Sequence, residues 1–81
     1  MSVKKKYLTR SKTFGYSIWN TDKKPFYADY GEVGIFINAN YPYSQHEEYY
    51  VGEDFVEILF GSPNFIGYGE CVEITLDIKG Q

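Results

Sequence analysis

Residues 13–20 read TFGYSIWN, and their hydrophobicity alternates with a period of two. Phe14, Tyr16 and Ile18 fall on one side of this pattern, and the residues between them fall on the other. Such alternation is typical of a β-strand that buries one face, because successive side chains of a strand point in opposite directions. The stretch therefore predicts a strand with an apolar face and favours a mainly β fold.

Three further strands are predicted around this one. Residues 70–78, ECVEITLDI, show the same alternation and are the most secure strand of the chain. Residues 32–38, EVGIFIN, are rich in β-branched side chains and bounded by turn formers, which favours a central strand. Residues 5–10, KKYLTR, predict an edge strand, because lysines at a sheet edge discourage pairing with other chains. Turn formers at 20–25 and 61–64 indicate loops.

The segment between these strands fits more than one structure. Ser44 and Glu47 have the spacing of a capping box, which predicts one short helix near residues 44–51. Residues 54–60, DFVEILF, match both a helical stripe and one face of a strand. Their β-branched and aromatic content favours the strand.

Length and composition predict one domain, residues 1–81. A chain of 81 residues buries only about 60% of its unfolded surface, so its core is thin. A hydrophobic fraction of 43% and an aromatic fraction of 20% are those of a folded globular protein. The predicted fold is a small single-domain antiparallel sheet, barrel-like or sandwich-like, with at most one short helix.

The start of the chain carries positive charge with no apolar run behind it, so no signal peptide is predicted. No window approaches the length of a membrane span. We therefore expect a cytoplasmic protein that has no membrane partner.

The formal charges are segregated along the chain. Residues 1–24 hold seven bases and one acid, a net charge of +6, whereas residues 25–81 hold ten acids and one base, a net charge of −9. Together they give the overall charge of −3. A protein that needs only solubility mixes its signs, since a field of one sign repels itself. The segregation therefore indicates a surface that binds something.

Tyrosines and carboxylates concentrate in residues 41–55, YPYSQHEEYYVGEDF, which contain no lysine or arginine. Spaced carboxylates on a rigid sheet imitate the phosphate line of a nucleic acid, and tyrosines add contact area with few rotamers to freeze. We therefore expect a small inhibitor that binds a basic, nucleic-acid-handling protein by charge mimicry. The predicted partner-binding residues are Tyr41, Tyr43, Glu47, Glu48, Tyr49, Tyr50, Glu53, Asp54 and Glu57, with Glu73 and Asp77 as a second patch.

In size, acidity and lack of motifs, the chain resembles the inhibitors that bacteriophages and mobile elements encode, including anti-restriction and anti-CRISPR proteins. This is a resemblance of type, with no motif matched. It implies an anti-defence role that requires no cofactor.

Other interpretations remain beside this one. The bases of the N-terminal strand, followed by Tyr7, Phe14, Tyr16 and Trp19, resemble a strip that binds single-stranded nucleic acid by stacking, although the acidic remainder argues against it. An acidic face can also be merely solvated, and a tyrosine-rich edge can be buried in a homodimer.

Catalytic and metal sites are not predicted. The single cysteine, Cys71, and the single histidine, His46, have no glycine elbow or oxyanion turn near them, so a catalytic dyad is disfavoured. His46, Glu47 and Glu48 are adjacent in sequence and converge poorly on one ion, whether the segment is helix or strand. We therefore expect neither enzymatic activity nor a metal.

Overall fold

A computed structural model describes residues 5–38 and 47–75 of the chain. They form a four-stranded antiparallel sheet of order β5-β2-β1-β6, a two-stranded antiparallel sheet of β3 and β4, and a helix, α1. The elements are β1 (Lys5–Ser11), β2 (Gly15–Thr21), β3 (Phe26–Asp29), β4 (Gly34–Ile37), β5 (Glu47–Val51), α1 (Glu53–Phe60) and β6 (Cys71–Ile74). The prediction of a mainly β antiparallel fold is confirmed.

The β1–β2 hairpin is the centre of the larger sheet, and its register aligns apolar side chains across one face. Leu8 lies opposite Ile18 on one side and Val72 on the other, and Ile18 lies opposite Tyr49. Helix α1 covers this face with Val56, which is fully buried. The buried cluster consists of Leu8, Tyr16, Ile18, Val56 and Ile66.

The opposite face of the hairpin is also buried. Trp19 is only 2% exposed, and its indole N–H donates to the Thr9 hydroxyl at 2.9 Å. Tyr7 and Ser17 lie on the same face and are buried as well. Strand β2 thus buries both of its faces, whereas the alternation predicted only one. Phe14, placed on the apolar face by the pattern, precedes the strand and is exposed.

The smaller sheet is attached at the turn of the central hairpin. The Thr13 N–H donates to the Gly34 carbonyl at 3.1 Å, and the Gly34 N–H donates to the Thr13 hydroxyl at 3.2 Å. Tyr27 of β3 packs on Phe36 of β4, with ring centroids 4.9 Å apart. Gly69 has a φ of +85°, and a Cβ there would lie 3.0 Å from the Tyr27 ring, so both its conformation and its contact require glycine.

Two predicted strand positions are wrong. Residues 5–10 were expected at an edge, but β1 pairs with both β2 and β6 and is central. Its two lysines, Lys5 and Lys6, are the first two residues of the strand. Lys5 is exposed and Lys6 is half-buried, whereas the strand from Tyr7 onward is buried. Residues 32–38 were expected to be central, but β4 pairs with β3 in the smaller sheet. β6 ends at Ile74, and residues 76–78 of that predicted strand lie outside the described part of the chain.

The helix is also not where the sequence predicted it. Within residues 44–51, the described part forms strand β5 rather than a helix, and Ser44 lies outside the described residues. Residues 54–60 belong to α1, which is a helix rather than the favoured strand. A helix places Val56 and Phe60 on one face against the sheet, and it ends at Gly61, which has a φ of +89°.

Helix α1 has eight residues. Among the described residues, no helix has the length and apolarity that crossing a membrane requires.

A buried arginine holds the loop after α1 against the sheet. The Arg10 side chain is only 8% exposed. Its guanidinium lies between two aromatic rings, 4.7 Å from the centroid of Tyr16 and 4.5 Å from that of Tyr68. The Tyr16 hydroxyl in turn donates to the Pro63 carbonyl at 2.6 Å. Stacking and hydrogen bonding therefore fix the loop to the centre of the sheet.

The same guanidinium makes hydrogen bonds to three parts of the chain. Nη1 donates to Asn64 Oδ1 at 3.2 Å and to the Ile66 carbonyl at 3.0 Å. Nη2 donates to Glu53 Oε2, in the first turn of α1, at 3.1 Å. Because a guanidinium has five donors in a planar fork, it satisfies these acceptors together, which a lysine ammonium cannot do in this geometry.

We expect Arg10→Lys to lower the free energy of unfolding by roughly 2–4 kcal/mol, because it keeps the charge but loses the stacking and part of the hydrogen bonding. Urea denaturation measures the change. Lys5→Gln is the control, since the Lys5–Glu73 pair is long, 4.0 Å, with side chains 50% and 57% exposed. Its loss should cost less than about 1 kcal/mol. Equal losses in the free energy of unfolding for the two variants would contradict the role of Arg10 in holding the loop after α1 against the sheet.

Candidate interaction surface

Strand β5 and helix α1 follow each other directly and present a continuous surface without a base. Residues 47–60 contain no lysine or arginine. We call the exposed side chains of these two elements on the α1 side of the sheet the β5–α1 surface, leaving out Glu53, which pairs with Arg10. Its members are Glu47, Tyr49, Asp54, Phe55, Glu57, Ile58 and Leu59.

Helix α1 exposes an apolar stripe. Phe55, Ile58 and Leu59 have the i, i+3, i+4 spacing that puts side chains on one side of a helix. Ile58 is 81% exposed, and the other two are also exposed. Asp54 and Glu57 lie on the same helix outside this stripe, and neither forms an ion pair within the described residues. The helix therefore presents apolar side chains beside carboxylates.

Strand β5 divides its side chains between the two faces of the sheet. Tyr49 and Tyr50 are 55% and 60% exposed, but consecutive residues of a strand point to opposite sides. Tyr49 lies on the face that α1 covers, opposite Ile18, whereas Tyr50 contacts Phe14 with ring centroids 5.6 Å apart. The structure thus separates two tyrosines that the sequence hypothesis placed on a single surface.

Glu47 and Tyr49 are joined on the α1 face. The Tyr49 hydroxyl donates a hydrogen bond to Glu47 Oε2. This bond, followed by the charge of the same carboxylate, raises the pKa of the Tyr49 phenol. The tyrosine therefore stays neutral and holds the carboxylate at the edge of the sheet.

An open groove lies between α1 and the sheet. Its volume is about 450 Å³, and its lining is mainly apolar. The lining residues are Lys6, Ile18, Asn20, Glu47, Tyr49, Val51 and Phe55. Tyr49 and Phe55 also belong to the β5–α1 surface, so the groove and the exposed stripe are continuous.

Two of the predicted acids, and also Asp29, are paired with bases from the first twelve residues of the chain. Glu53 accepts from Arg10 at 3.1 Å, and Glu73 lies 4.0 Å from Lys5. Asp29 is 3.3 Å from Lys12, and its pKa is lowered by the N–H of Gly31 and then by this lysine. The carboxylates after residue 25 therefore do not form one uninterrupted negative field.

The structure does not bring all predicted partner-binding residues together. Tyr41, Tyr43 and Asp77 lie outside the described residues. Glu48 is half-buried, and Glu73 is on β6, at the opposite edge of the sheet from β5. The predicted residues that share the β5–α1 surface are Glu47, Tyr49, Asp54 and Glu57, whereas Tyr50 lies on the opposite face of the sheet.

The apolar stripe was missed as a binding feature. The spacing of Phe55, Ile58 and Leu59 was visible as one of two patterns in residues 54–60. Because the composition of residues 54–60 favoured a strand, the sequence did not predict that these three side chains share the outer side of a helix.

The N-terminal strip that resembled a nucleic-acid-binding motif is mostly inaccessible. Tyr7, Tyr16 and Trp19 are buried, as is Arg10. Of the aromatic residues in that strip, only Phe14 is exposed. In this fold, bases of a nucleic acid cannot stack on the buried rings.

Cys71 is half-buried and is not an activated thiol. Burial raises its pKa to about 11, and the charge of Lys24 opposes the shift. His46 lies outside the described residues. In residues 5–38 and 47–75, no group of three or more histidine, cysteine or acidic side chains is placed to hold a metal ion.

Comparisons with protein-family models, with curated proteins and with solved structures find no match to this chain.

The Tyr49 phenol should ionise above its ordinary pKa of about 10. In Glu47→Gln the pKa should fall toward that value, because the neutral amide carries no charge to oppose the phenolate. An NMR titration of the tyrosine Cζ signals measures both. Asp54→Asn is the control and should leave Tyr49 unchanged. A Tyr49 pKa that is the same in Glu47→Gln and in the unsubstituted protein would show that the two side chains do not interact.

Cys71 should react with iodoacetamide at pH 8 at least tenfold more slowly in the folded protein than in the chain unfolded by urea. The raised pKa leaves roughly one thiol in a thousand ionised at that pH. Mass spectrometry over time gives both rates. A folded-state rate equal to or faster than the unfolded one would contradict the burial of the thiol.

Proposed function

We propose that this protein is a non-enzymatic inhibitor that binds a basic, nucleic-acid-handling protein through the β5–α1 surface. Binding would cover the partner's own basic surface and so compete with nucleic acid. The observation that carries the proposal is the exposed apolar stripe of α1 with carboxylates beside it and no base in residues 47–60.

The apolar stripe supplies the anchoring part of the interaction. Burying apolar surface contributes roughly 25 cal/mol for each Å² removed from water, and exposed apolar patches on small proteins commonly mark binding sites. Ile58, at 81% exposed, contributes almost nothing to the core in the free protein. Its side chain, with those of Phe55 and Leu59, is available to fill a cavity on a partner.

The carboxylates make the β5–α1 surface selective for a basic partner. Asp54 and Glu57 flank the stripe, and Glu47 stands at the edge of the adjacent strand. Negative charges around an apolar centre speed association with a positive surface and disfavour acidic partners. Proteins that hold nucleic acids display such positive surfaces. The charge mimicry proposed here is therefore local to β5 and α1 rather than a row along β6.

This combination is also compatible with an inhibitor of the anti-restriction or anti-CRISPR type. The resemblance in size and acidity noted above supports that more specific role.

Charge reversal on α1 tests the proposal. Affinity capture from a bacterial lysate, followed by a binding constant for each captured protein, compares the unsubstituted chain with Asp54→Lys/Glu57→Lys. The matched control is Glu32→Lys/Glu73→Lys, which makes the same change in net charge on other exposed acids. We expect at least tenfold weaker binding for the α1 variant and less than threefold for the control.

The captured partner is then titrated with duplex DNA and with RNA. Release of this protein by either nucleic acid is the expected result. Equal binding by both charge-reversal variants, or a partner unaffected by nucleic acid, would contradict the proposed mode of inhibition. Sedimentation of the free protein checks the alternative of a homodimer that buries the β5–α1 surface.

A further inference from the structure

The groove beside α1 has the dimensions of a binding site for a side chain or small ligand. Its volume of about 450 Å³ falls within the usual range of about 300–1,000 Å³ for ligand pockets. Ile18 and Val51 come from the sheet, and Phe55 comes from the helix. Tyr49 stands beside them with its hydroxyl turned to Glu47. The groove is therefore an apolar recess that opens at the edge of the β5–α1 surface.

A row of polar side chains crosses the sheet at one end of this recess. Lys6 lies opposite Asn20 on β2, and Asn20 lies opposite Glu47 on β5. All three line the groove. Because neighbouring strands are about 4.8 Å apart, the backbones at Lys6 and Glu47 are about 10 Å apart. The recess thus has a cation on its β1 side and a carboxylate on its β5 side.

We propose that the groove receives a bulky apolar side chain from an extended basic segment of the partner, with a neighbouring lysine or arginine paired to Glu47. The inference rests on the proposed function, because it identifies the part of the partner that meets the β5–α1 surface.

Charge complementarity favours a basic segment over an anionic ligand. The Glu47 side chain is exposed, and within the described residues it accepts a hydrogen bond from Tyr49 on one oxygen, which leaves acceptor positions for a cation. Asp54 and Glu57 add negative charge on the helix that forms the same side of the recess. Among the described lining residues Lys6 is the single cation, and it lies at the far end of the row from Glu47.

The groove also extends the contact made by the stripe. Phe55 belongs to both. Ile58 follows Phe55 by three residues on the same side of the helix, so a single partner segment can cover the recess and the stripe together.

Three capped peptides test the inference by NMR titration of the backbone amides: KKFKK, EEFEE and KKGKK. We expect KKFKK to shift Ile18, Val51 and Phe55 in a saturable way. EEFEE lacks the cation, and KKGKK lacks the apolar side chain, so neither should shift these residues at the same concentrations. Two variants that neutralise the opposite ends of the polar row provide the matched comparison. Glu47→Gln should weaken KKFKK binding three- to tenfold, and Lys6→Gln should leave it unchanged or strengthen it.

Four results would overturn the inference. Tighter binding of EEFEE, weakened by Lys6→Gln, would identify a site for an anionic amphiphile. Groove shifts that depend on protein concentration without peptide would identify a second copy of this chain as the occupant. Failure of all three peptides to shift the groove would also reject it. Shifts by KKFKK and KKGKK at Asp54 and Glu57 alone would reject the groove while leaving the acidic surface in place.

The two proposals fail separately. Saturable binding of KKFKK in the groove, together with partner capture that Asp54→Lys/Glu57→Lys does not change, would support the groove and reject the proposed use of α1.

Discussion

The burial of Arg10 is the constraint on which the rest of the structure depends. A guanidinium that is removed from water requires acceptors for its donors, and here they come from the first turn of α1 and from the loop after it, while the Tyr16 ring of β2 stacks on the guanidinium. Helix α1 has eight residues and is too short to be stable alone. Its position follows from Val56 in the core and from the bond between Arg10 and Glu53. That position decides which side of the helix faces solvent, and hence that Ile58 is exposed.

The same interaction changes the meaning of the segregated charge. Along the sequence, bases and acids occupy different segments, which suggested a single acidic field. In the fold, Lys5, Arg10 and Lys12 reach acids far along the chain and form three ion pairs. Some of the segregated charges therefore form ion pairs that link distant segments of one domain. Of the acids that pair with no base within the described residues, Asp54 and Glu57 lie beside the apolar stripe of α1 and Glu47 lies on the adjacent strand.

Local patterns predicted the β class and part of the core, because period-two alternation at Ile18 and Val72 directly reflects a buried face. They could not predict that β1 is central, since strand order depends on pairings between distant residues. They also could not decide whether residues 54–60 form a helix or a strand, because this short segment fits both the helical period of 3.6 residues and the strand period of two. The choice is made by tertiary contacts: Val56 and Phe60 pack on the sheet only if the segment is helical.

The candidate site was predictable only where it is continuous in sequence. Glu47, Asp54 and Glu57 were predicted because they lie within one acidic segment, but the groove joins Lys6, Asn20 and Glu47, which no local pattern relates. Their alignment requires the register of three strands. A fold under selection for stability alone gains nothing from Ile58 at the surface, since exposed apolar area has no stabilising effect in water. Its exposure beside a recess of the same apolar character, with carboxylates near both, is the arrangement on which the proposed contact with a partner rests.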